Sequence, residues 1–434
     1  MLELLGGDAH VEVVTERQEL LRFARSAVTY QHSEERLTAR IRLVRDGRSA
    51  WGLLSSLEED GVRALAGRLE RLLAHLRPGD AALAVPPTRA AEPQATTAYA
   101  STAAADSSDR AELVASAAAE LPGGAELGGS AVDVVSDHAV ASTAGIDRAE
   151  RRTRSSLQLV TTAGGRSSYV KLVHRDRDAL VAGVPDALER LWKGLEPLPV
   201  VPVALGRHRA VLSPQALAGI VAPFAYSVFD GRGVAAGTSA AANEEGLAAA
   251  PVTLVDDGND AAGLPTSFDS EGIGKRRTHL LAAGLLAGVV HDTASARATG
   301  GESTGHAVPP AWRFGAGPSA SHLLVEPGTA TDEELLAACG TGLYVQRVDY
   351  VRVVHPKTTL ATGSSRDATL WIQDGRVVGR APQFRFTVEL TELLRAIELL
   401  GARRERSELV FMESIVAPGA VVSPLPVDEL TGTG

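Results

Sequence analysis

Cysteine is almost missing: the 434-residue chain has one, Cys339. An intramolecular disulfide is excluded, and so is any zinc or iron–sulfur site built from several cysteines. Aromatic residues make up only 4%, too few for a surface that stacks successive bases of a single strand. Basic residues are outnumbered, 43 Lys and Arg against 53 Asp and Glu, for a net charge of −10. A chain of this charge has no global field for nucleic acid or an anionic membrane, so neither is expected as a partner. Long apolar runs are also lacking. The most apolar stretch, Leu280 to Val290, is too short to cross a bilayer and is flanked by Arg276, Arg277 and His291. The start, Met1-Leu-Glu-Leu-Leu-Gly-Gly-Asp8, carries acids where a signal peptide carries bases. A soluble, cytoplasmic protein is the expectation.

Several chemical motifs are absent as well. None of the 11 histidines stand four or five positions apart, the spacing that sets two imidazoles on one helix face for a metal. No glycine-rich phosphate loop and no dinucleotide fingerprint occur, so nucleotide binding has no support.

What is present reads as a two-part α+β protein. Thr15-Glu-Arg-Gln18 has the capping-box pattern and predicts a helix carrying Leu20, Leu21, Phe23 and Ala24. Leu37, Ala39, Ile41 and Leu43 alternate with polar residues, a strand that Asp46-Gly47 turns back into Ala50–Leu54. Val62, Leu65, Leu69, Leu72, Leu73 and Leu76 then repeat at helical spacing. Residues 86–108 are rich in Pro, Ala, Thr and Ser and read as a flexible excursion. A second hairpin runs from Leu157 to Val173 around Gly164-Gly165, followed by a helix with Leu180 to Leu191. Pro197-Leu-Pro-Val-Val-Pro202 reads as a linker. The division is therefore an N-terminal helix–hairpin–helix α/β domain, 1–199, and a larger antiparallel β-rich domain, 200–434. In the second part Arg209–Pro214 is expected as a strand ending in a turn, 231–250 as a loop, and 278–290 as paired strands. Thr331 is expected to cap a helix through Leu335 and Leu336. Gly342–Val345 and Val348–Val354 read as separate strands, 369–378 as a hairpin, and Leu390 to Leu400 as a late helix.

Few residues suggest chemistry. Gly301-Glu-Ser303-Thr-Gly305 fits the nucleophile-elbow pattern, with His306 adjacent, but an elbow needs a strand before the serine and a helix after it. Polar residues precede this one and Val308-Pro-Pro310 follows, so a glycine-rich loop is the simpler reading. Cys339 sits among alanines and leucines on the expected helix, where it is a small buried hydrophobe. Asp256-Asp257 and Asp269-Ser-Glu271 could do acid–base work or bind a cation, but acidic turns commonly serve only to shape loops.

The order of motifs says more. Pro265-Thr-Ser-Phe-Asp269-Ser-Glu271-Gly272, the apolar segment 275–288 and Ser303-Thr304-Gly305-His306-Ala307 follow one another. Gly340-Thr-Gly-Leu-Tyr344, Gly363-Ser-Ser-Arg366 and Trp371-Ile-Gln-Asp-Gly375 come after them, and Ile41 to Gly52 precedes them. This succession resembles the TldD/PmbA family of gyrase modulators and peptide-processing proteases. The resemblance implies one of two branches. The TldD branch carries zinc on H-E-x-x-x-H and a distant cysteine; the TldE (PmbA) branch lacks those ligands and pairs with TldD. Here the corresponding stretch is Ala222-Pro-Phe-Ala-Tyr-Ser227, and no cysteine follows residue 400. The resemblance thus implies a non-catalytic subunit with no cofactor of its own. Its partner would be a TldD-like zinc metallopeptidase, and the substrate a peptide or small amide. Asp269, Glu271, Gly272, Ser303, Thr304, Gly305, His306 and Arg366 would lie at the cleft or interface. The alternatives are a self-sufficient hydrolase using Ser303 and His306, and a homodimeric binding protein without chemistry.

Overall fold

The computed structural model describes residues 1–79, 81–86, 95–242, 246–309, 318–409 and 413–431. The first half is a six-stranded antiparallel sheet in the order β3-β2-β1-β4-β5-β6. Its strands are β1 Asp8–Ala24, β2 Ala27–Arg45, β3 Arg48–Leu54, β4 Glu126–Ser142, β5 Asp147–Ala163 and β6 Arg166–His174. Helices α1 Leu2–Leu5, α2 Glu59–His75, α3 Ala100–Ala103, α4 Ser107–Ala119, α5 Arg177–Ala182 and α6 Val184–Lys193 accompany it. Three strands and a helix are thus followed by three strands and a helical pair, and the two sets meet where β1 pairs antiparallel with β4. This similarity in strand order has no echo in the sequence.

The helix expected from Thr15 is a strand. Val11, Val13, Val14 and Thr15 are β-branched and favour extended backbone. Further along, Leu21 and Phe23 are buried while Arg22 between them is not, a period of two. Long ladders with β2 and β4 satisfy the backbone on both edges, which outweighs a capping box worth about 1 kcal/mol. The expected turn at Asp46-Gly47 is present, both residues having positive φ, 48° and 72°. A Cβ at Gly47 would lie 2.0 Å from the Gly79 carbonyl oxygen. The helix expected over 180–191 divides at Gly183 into α5 and α6. Of the excursion expected at 86–108, residues 87–94 lie outside the described residues. The remainder is partly ordered by α3, α4 and a hydrogen bond from Thr153 N to Thr97 O at 2.9 Å.

The second half forms a twelve-stranded sheet. Its strands are β7 Gly206–Leu212, β8 Leu254–Asp256, β9 Thr278–Ala282, β10 Leu285–Leu286, β11 His322–Val325 and β12 Gly342–His355. They continue with β13 Leu360–Gln373, β14 Arg376–Arg380, β15 Phe384–Glu389, β16 Ile397–Ser407, β17 Ser414–Val427 and β18 Glu429–Leu430. The main path runs β10-β9-β8-β11-β17-β7-β12-β13-β15-β18, with β14 beside β13 and β16 beside β17. Pairing is antiparallel except at β11/β17 and β7/β12. The helices are α7 Pro214–Val228, α8 Gly231–Ala235, α9 Thr293–Thr299, α10 Asp332–Cys339 and α11 Leu390–Arg395.

Several expectations shift here. Pro214 does not end a turn; it opens α7, with the Ser213 hydroxyl capping Ala216 N, since proline at the first helical position sacrifices no hydrogen bond. The loop expected over 231–250 contains α8 and a 3-10 turn at Ala240–Ala242. Residues 342–355 are one strand with bulges rather than two. The late helix stops at Arg395, because Ile397 and Leu400 are buried in β16 against β17. Helix α10 has the expected Thr331 capping box, and Cys339 is buried at its end. Helix α7 is the centre of the larger core: Leu217, Ile220, Val221 and Phe224 pack with Leu343, Val345, Ala420 and Val422.

Candidate functional site

Odd-numbered residues of β1, Ala9, Val11, Leu21 and Phe23, face the helices of the first half. Alternation then sends Glu12, Val14 and Glu16 to the opposite, helix-free face. With Val134, Ser136 and His138 of β4 and Arg152 and Arg154 of β5, they form one wall of a cavity of about 310 Å³. The second half supplies the other wall: Thr266, Phe268–Ser270, Lys275, Ala307–Pro309, Ser321, His322, Glu408, Leu409 and Glu413. Arg175 bridges the halves, its guanidinium donating to Leu264 O at 3.2 Å and Pro265 O at 2.8 Å.

The cavity is charged but balanced. Arg152, Arg154, Arg175 and Lys275 face Glu12, Glu16, Asp269, Glu408 and Glu413. Arg154 and Lys171 both pair with Glu408, and Glu12 pairs with Arg40. His138 lies between Glu12 Oε1, 3.0 Å from Nε2, and an Arg152 nitrogen, 2.8 Å from Nδ1. A guanidinium can only donate, so Nδ1 accepts and Nε2 carries the proton. Burial, then the Arg152 charge, lower the pKa of His138 to about 3.

Asp256 organises the floor. Its Oδ1 lies 2.8 Å from His306 Nε2, and Oδ2 accepts from Ser321 N at 2.6 Å and His322 N at 3.0 Å. Burial penalises its charge, but His306 and the Lys275 ammonium outweigh that penalty and hold the carboxyl well below the usual range. Burial lowers the pKa of His306 despite Asp256, so the ring donates through Nε2 and accepts the Thr304 hydroxyl at Nδ1, 2.8 Å away.

Only some of the residues expected at the site meet the cavity. Asp269 lines it and accepts from Glu271 N, Ile273 N and Ala307 N at 2.9, 3.0 and 2.8 Å. Burial, then the neighbouring Glu271 charge, push its pKa up to about 7. Glu271 instead accepts from Thr293 N at the start of α9, 2.9 Å away. Gly272 has φ 78°, and a Cβ there would lie 2.4 Å from Ile146. Gly305 is equally constrained, at φ 76° and 2.4 Å from Gly274 O. Thr304 and His306 form the layer beneath the floor. Arg366 is exposed on β13 and does not line the cavity. Asp257 faces away from its neighbour Asp256, toward Arg277 at 3.1 Å.

Ser303 is not an elbow nucleophile. Helix α9 precedes it where a strand is required, its hydroxyl donates to His291 O at 3.2 Å, and it accepts from Gly305 N at 3.2 Å. His306 is engaged with Asp256 and Thr304 instead. Ser303→Ala should leave any activity of the protein within about tenfold, whereas removing a true nucleophile costs ~10⁴ or more. Covalent capture of Ser303 by a serine-directed phosphonate is the result that would overturn this assignment.

Sequence reasoning missed Arg175, Lys275, Ser321, His322 and Glu413, which converge from separate segments. One local signal existed: His322 is the polar residue at the head of an otherwise apolar strand, His322-Leu-Leu-Val325, that is buried throughout.

Residues 205–429 match the sequence profile of the PmbA/TldA metallopeptidase C-terminal domain, and the chain belongs to this family. No curated protein matches its sequence. Among solved structures it is similar to TldE from Thermococcus kodakarensis, at 20% identity and a TM-score of 0.85, covering 98% of this chain and 97% of that one. It is also similar to a candidate modulator of a DNA gyrase from Thermotoga maritima, at 17% identity and a TM-score of 0.82, with 97% and 96% covered. A third similar structure, a candidate gyrase modulator from Bacteroides thetaiotaomicron, shows 18% identity and a TM-score of 0.81, with 99% and 97% covered. The mixed α+β fold with its antiparallel sheets is common to all of them.

The family's metallopeptidase label implies a metal, and the stretch compared above with the zinc-binding pattern offers no suitable ligands for one. Ala222 and Pro223 are buried in α7 and have no ligand atom. The Ser227 hydroxyl donates to Pro223 O and Phe224 O at 2.8 and 3.0 Å. Among the described residues no group of three or more His, Cys, Asp or Glu is placed to hold a metal ion. Nor is any helix among them long and apolar enough to cross a membrane.

Proposed function

We propose that this chain is the non-catalytic, TldE-like subunit of a cytoplasmic two-subunit metallopeptidase or amidase. Its TldD-like partner would hold the zinc, and this chain would complete the cleft that receives an extended peptide or small amide. The observation that carries the reading is helix α7: where the zinc-binding branch is expected to place H-E-x-x-x-H, this chain buries Ala222, Pro223 and Phe224 in its main core. Substituting ligands there would require repacking that core. The charge-balanced cavity between the halves supports a substrate-holding role, since a few fixed polar groups in a concave site orient a ligand.

The decisive experiment is co-expression with a TldD-like chain from the same genome, followed by size-exclusion with light scattering and zinc analysis of each subunit. A stable complex with zinc in the partner alone is expected. Purified alone, this chain should hold no stoichiometric zinc, because it lacks the ligand set. One tightly bound zinc per isolated chain, lost on mutating its own histidines, would overturn the reading. So would a monomer that never binds the partner.

A further inference from the structure

His322 stands on the cleft floor with one ring nitrogen engaged and the other without an acceptor. Its Nδ1 is 3.0 Å from Ser321 Oγ, and that hydroxyl is 3.1 Å from Lys275 Nζ. An ammonium only donates. Ser321 therefore accepts from Lys275; its hydroxyl proton has no other acceptor among the described residues and goes to His322 Nδ1, so the imidazole carries its hydrogen on Nε2. Burial, then the Lys275 charge, hold the ring's pKa well below its ordinary value, so it is neutral. The backbone beneath is fixed by the two N–H bonds to Asp256 Oδ2.

His322 is 1% exposed and lines the cavity, yet Nε2 has no hydrogen-bond partner among the described residues. Leaving such a donor unmatched costs about 1–3 kcal/mol. Arg154 Nε and Arg175 Nε are also unmatched buried donors, and both residues line the same cavity. No acceptor among its described lining residues is similarly unmatched. A complementary ligand must therefore bring acceptors. The near balance of cations and carboxylates gives no field for a multiply charged anion such as phosphate. An uncharged acceptor, the amide carbonyl, suits the cleft best.

We propose that Lys275, Ser321 and His322 form a hydrogen-bond relay that presents the His322 Nε2–H to a backbone carbonyl oxygen of an extended peptide. His322 is the binding residue; Lys275 and Ser321 are positioning residues that fix its tautomer and polarise it. The proposal rests on reading the cleft as a peptide-holding site.

The test uses the full-length chain labelled with ¹⁵N-histidine and long-range ¹H–¹⁵N correlation. His322 should be neutral with its proton on Nε2, and Lys275→Met should weaken that preference. The probe is the N-acetylated, C-amidated peptide Gly-Ala-Gly-Ala-Gly, which should shift the Nε2 proton, while inorganic phosphate should not. His322→Leu should weaken peptide binding about tenfold, the worth of one hydrogen bond. His322→Gln, which keeps a donor, should stay within about threefold. A proton on Nδ1 in the unliganded chain overturns the relay. Equal binding by His322→Leu, a response to phosphate alone, or no response to peptide at ~1 mM, a level at which even weak binding registers, overturns the ligand assignment. If the chain still forms a zinc-loaded complex with its partner, only this inference has failed. If peptide shifts His322 but no partner binds, the subunit reading fails instead.

Discussion

Unfolding titrations should show stability collapsing as pH falls from 6.5 toward 4. Burial, then the Arg42 and Arg40 charges, lower the pKa of His10 to about 4. His138 is lowered to about 3, and His306 and His322 are lowered as well. These rings are neutral in the folded chain but take up protons below their ordinary value of 6.5 once unfolded. Their contribution is therefore complete above pH 6.5 and is lost as pH drops toward the folded values. Asp269 acts in the opposite sense: raised to about 7, it holds a proton in the folded state that the unfolded chain releases above 3.8. His10 and His138 against Asp269 leave an excess of about one proton on the unfolded chain, a slope of roughly 1.4 kcal/mol per pH unit, and the lowered His306 and His322 add to it in the same direction. Urea denaturation at pH 7.5, 6 and 5 measures this. His138→Gln should flatten the profile by about 1.4 kcal/mol per pH unit. A stability unchanged between pH 7.5 and 5 would refute the assignment of neutral buried histidines.

That dependence could not be read from the sequence, and the reason is physical. His10 and His138 sit in segments whose local patterns say only strand or helix. Their burial arises because the sheet's helix-free face is closed by the second half, through contacts such as Ser267 N to Glu150 Oε2 at 3.0 Å. Local signals were legible where a turn or cap is self-contained: Asp46-Gly47, Thr331 with Glu334, and the Gly164-Gly165 hairpin all formed as expected. They failed where long-range pairing decided. The Thr15 capping box lost to two long ladders, and Ile397 left a helical pattern to pair with β17. Of the residues in the ordered motifs, Asp269 lines the cavity, while Thr304 and His306 lie beneath its floor. His306 is a support under the floor, and the groups that face the cleft, Lys275, Ser321 and His322, belong to no spacing that one segment could reveal.

Replacing Asp256 should separate its charge from its geometry. Asp256→Ala strands the N–H groups of Ser321 and His322 and leaves His306 Nε2 without its acceptor, all in a region where Asp256 itself is 0% exposed. It also removes the carboxylate that balances Lys275. Breaking a buried charged group of this kind costs about 3–5 kcal/mol, and the floor of the cleft should lose its fixed shape. Asp256→Asn has a way out. Its carbonyl oxygen can accept from Ser321 N and His322 N, and its amide can donate to His306 Nε2 if that ring moves its proton to Nδ1. The Thr304 hydroxyl would then accept from Nδ1 and donate to His291 O, already 3.2 Å away. The cost should fall to about 1–2 kcal/mol, the scale of one altered hydrogen bond. Denaturation of the two variants, with the His306 tautomer read by ¹⁵N correlation in Asp256→Asn, checks both halves of the argument. Equal destabilisation by Ala and Asn would show that the charge, and not the hydrogen-bond frame, holds Ser321 and His322 in place.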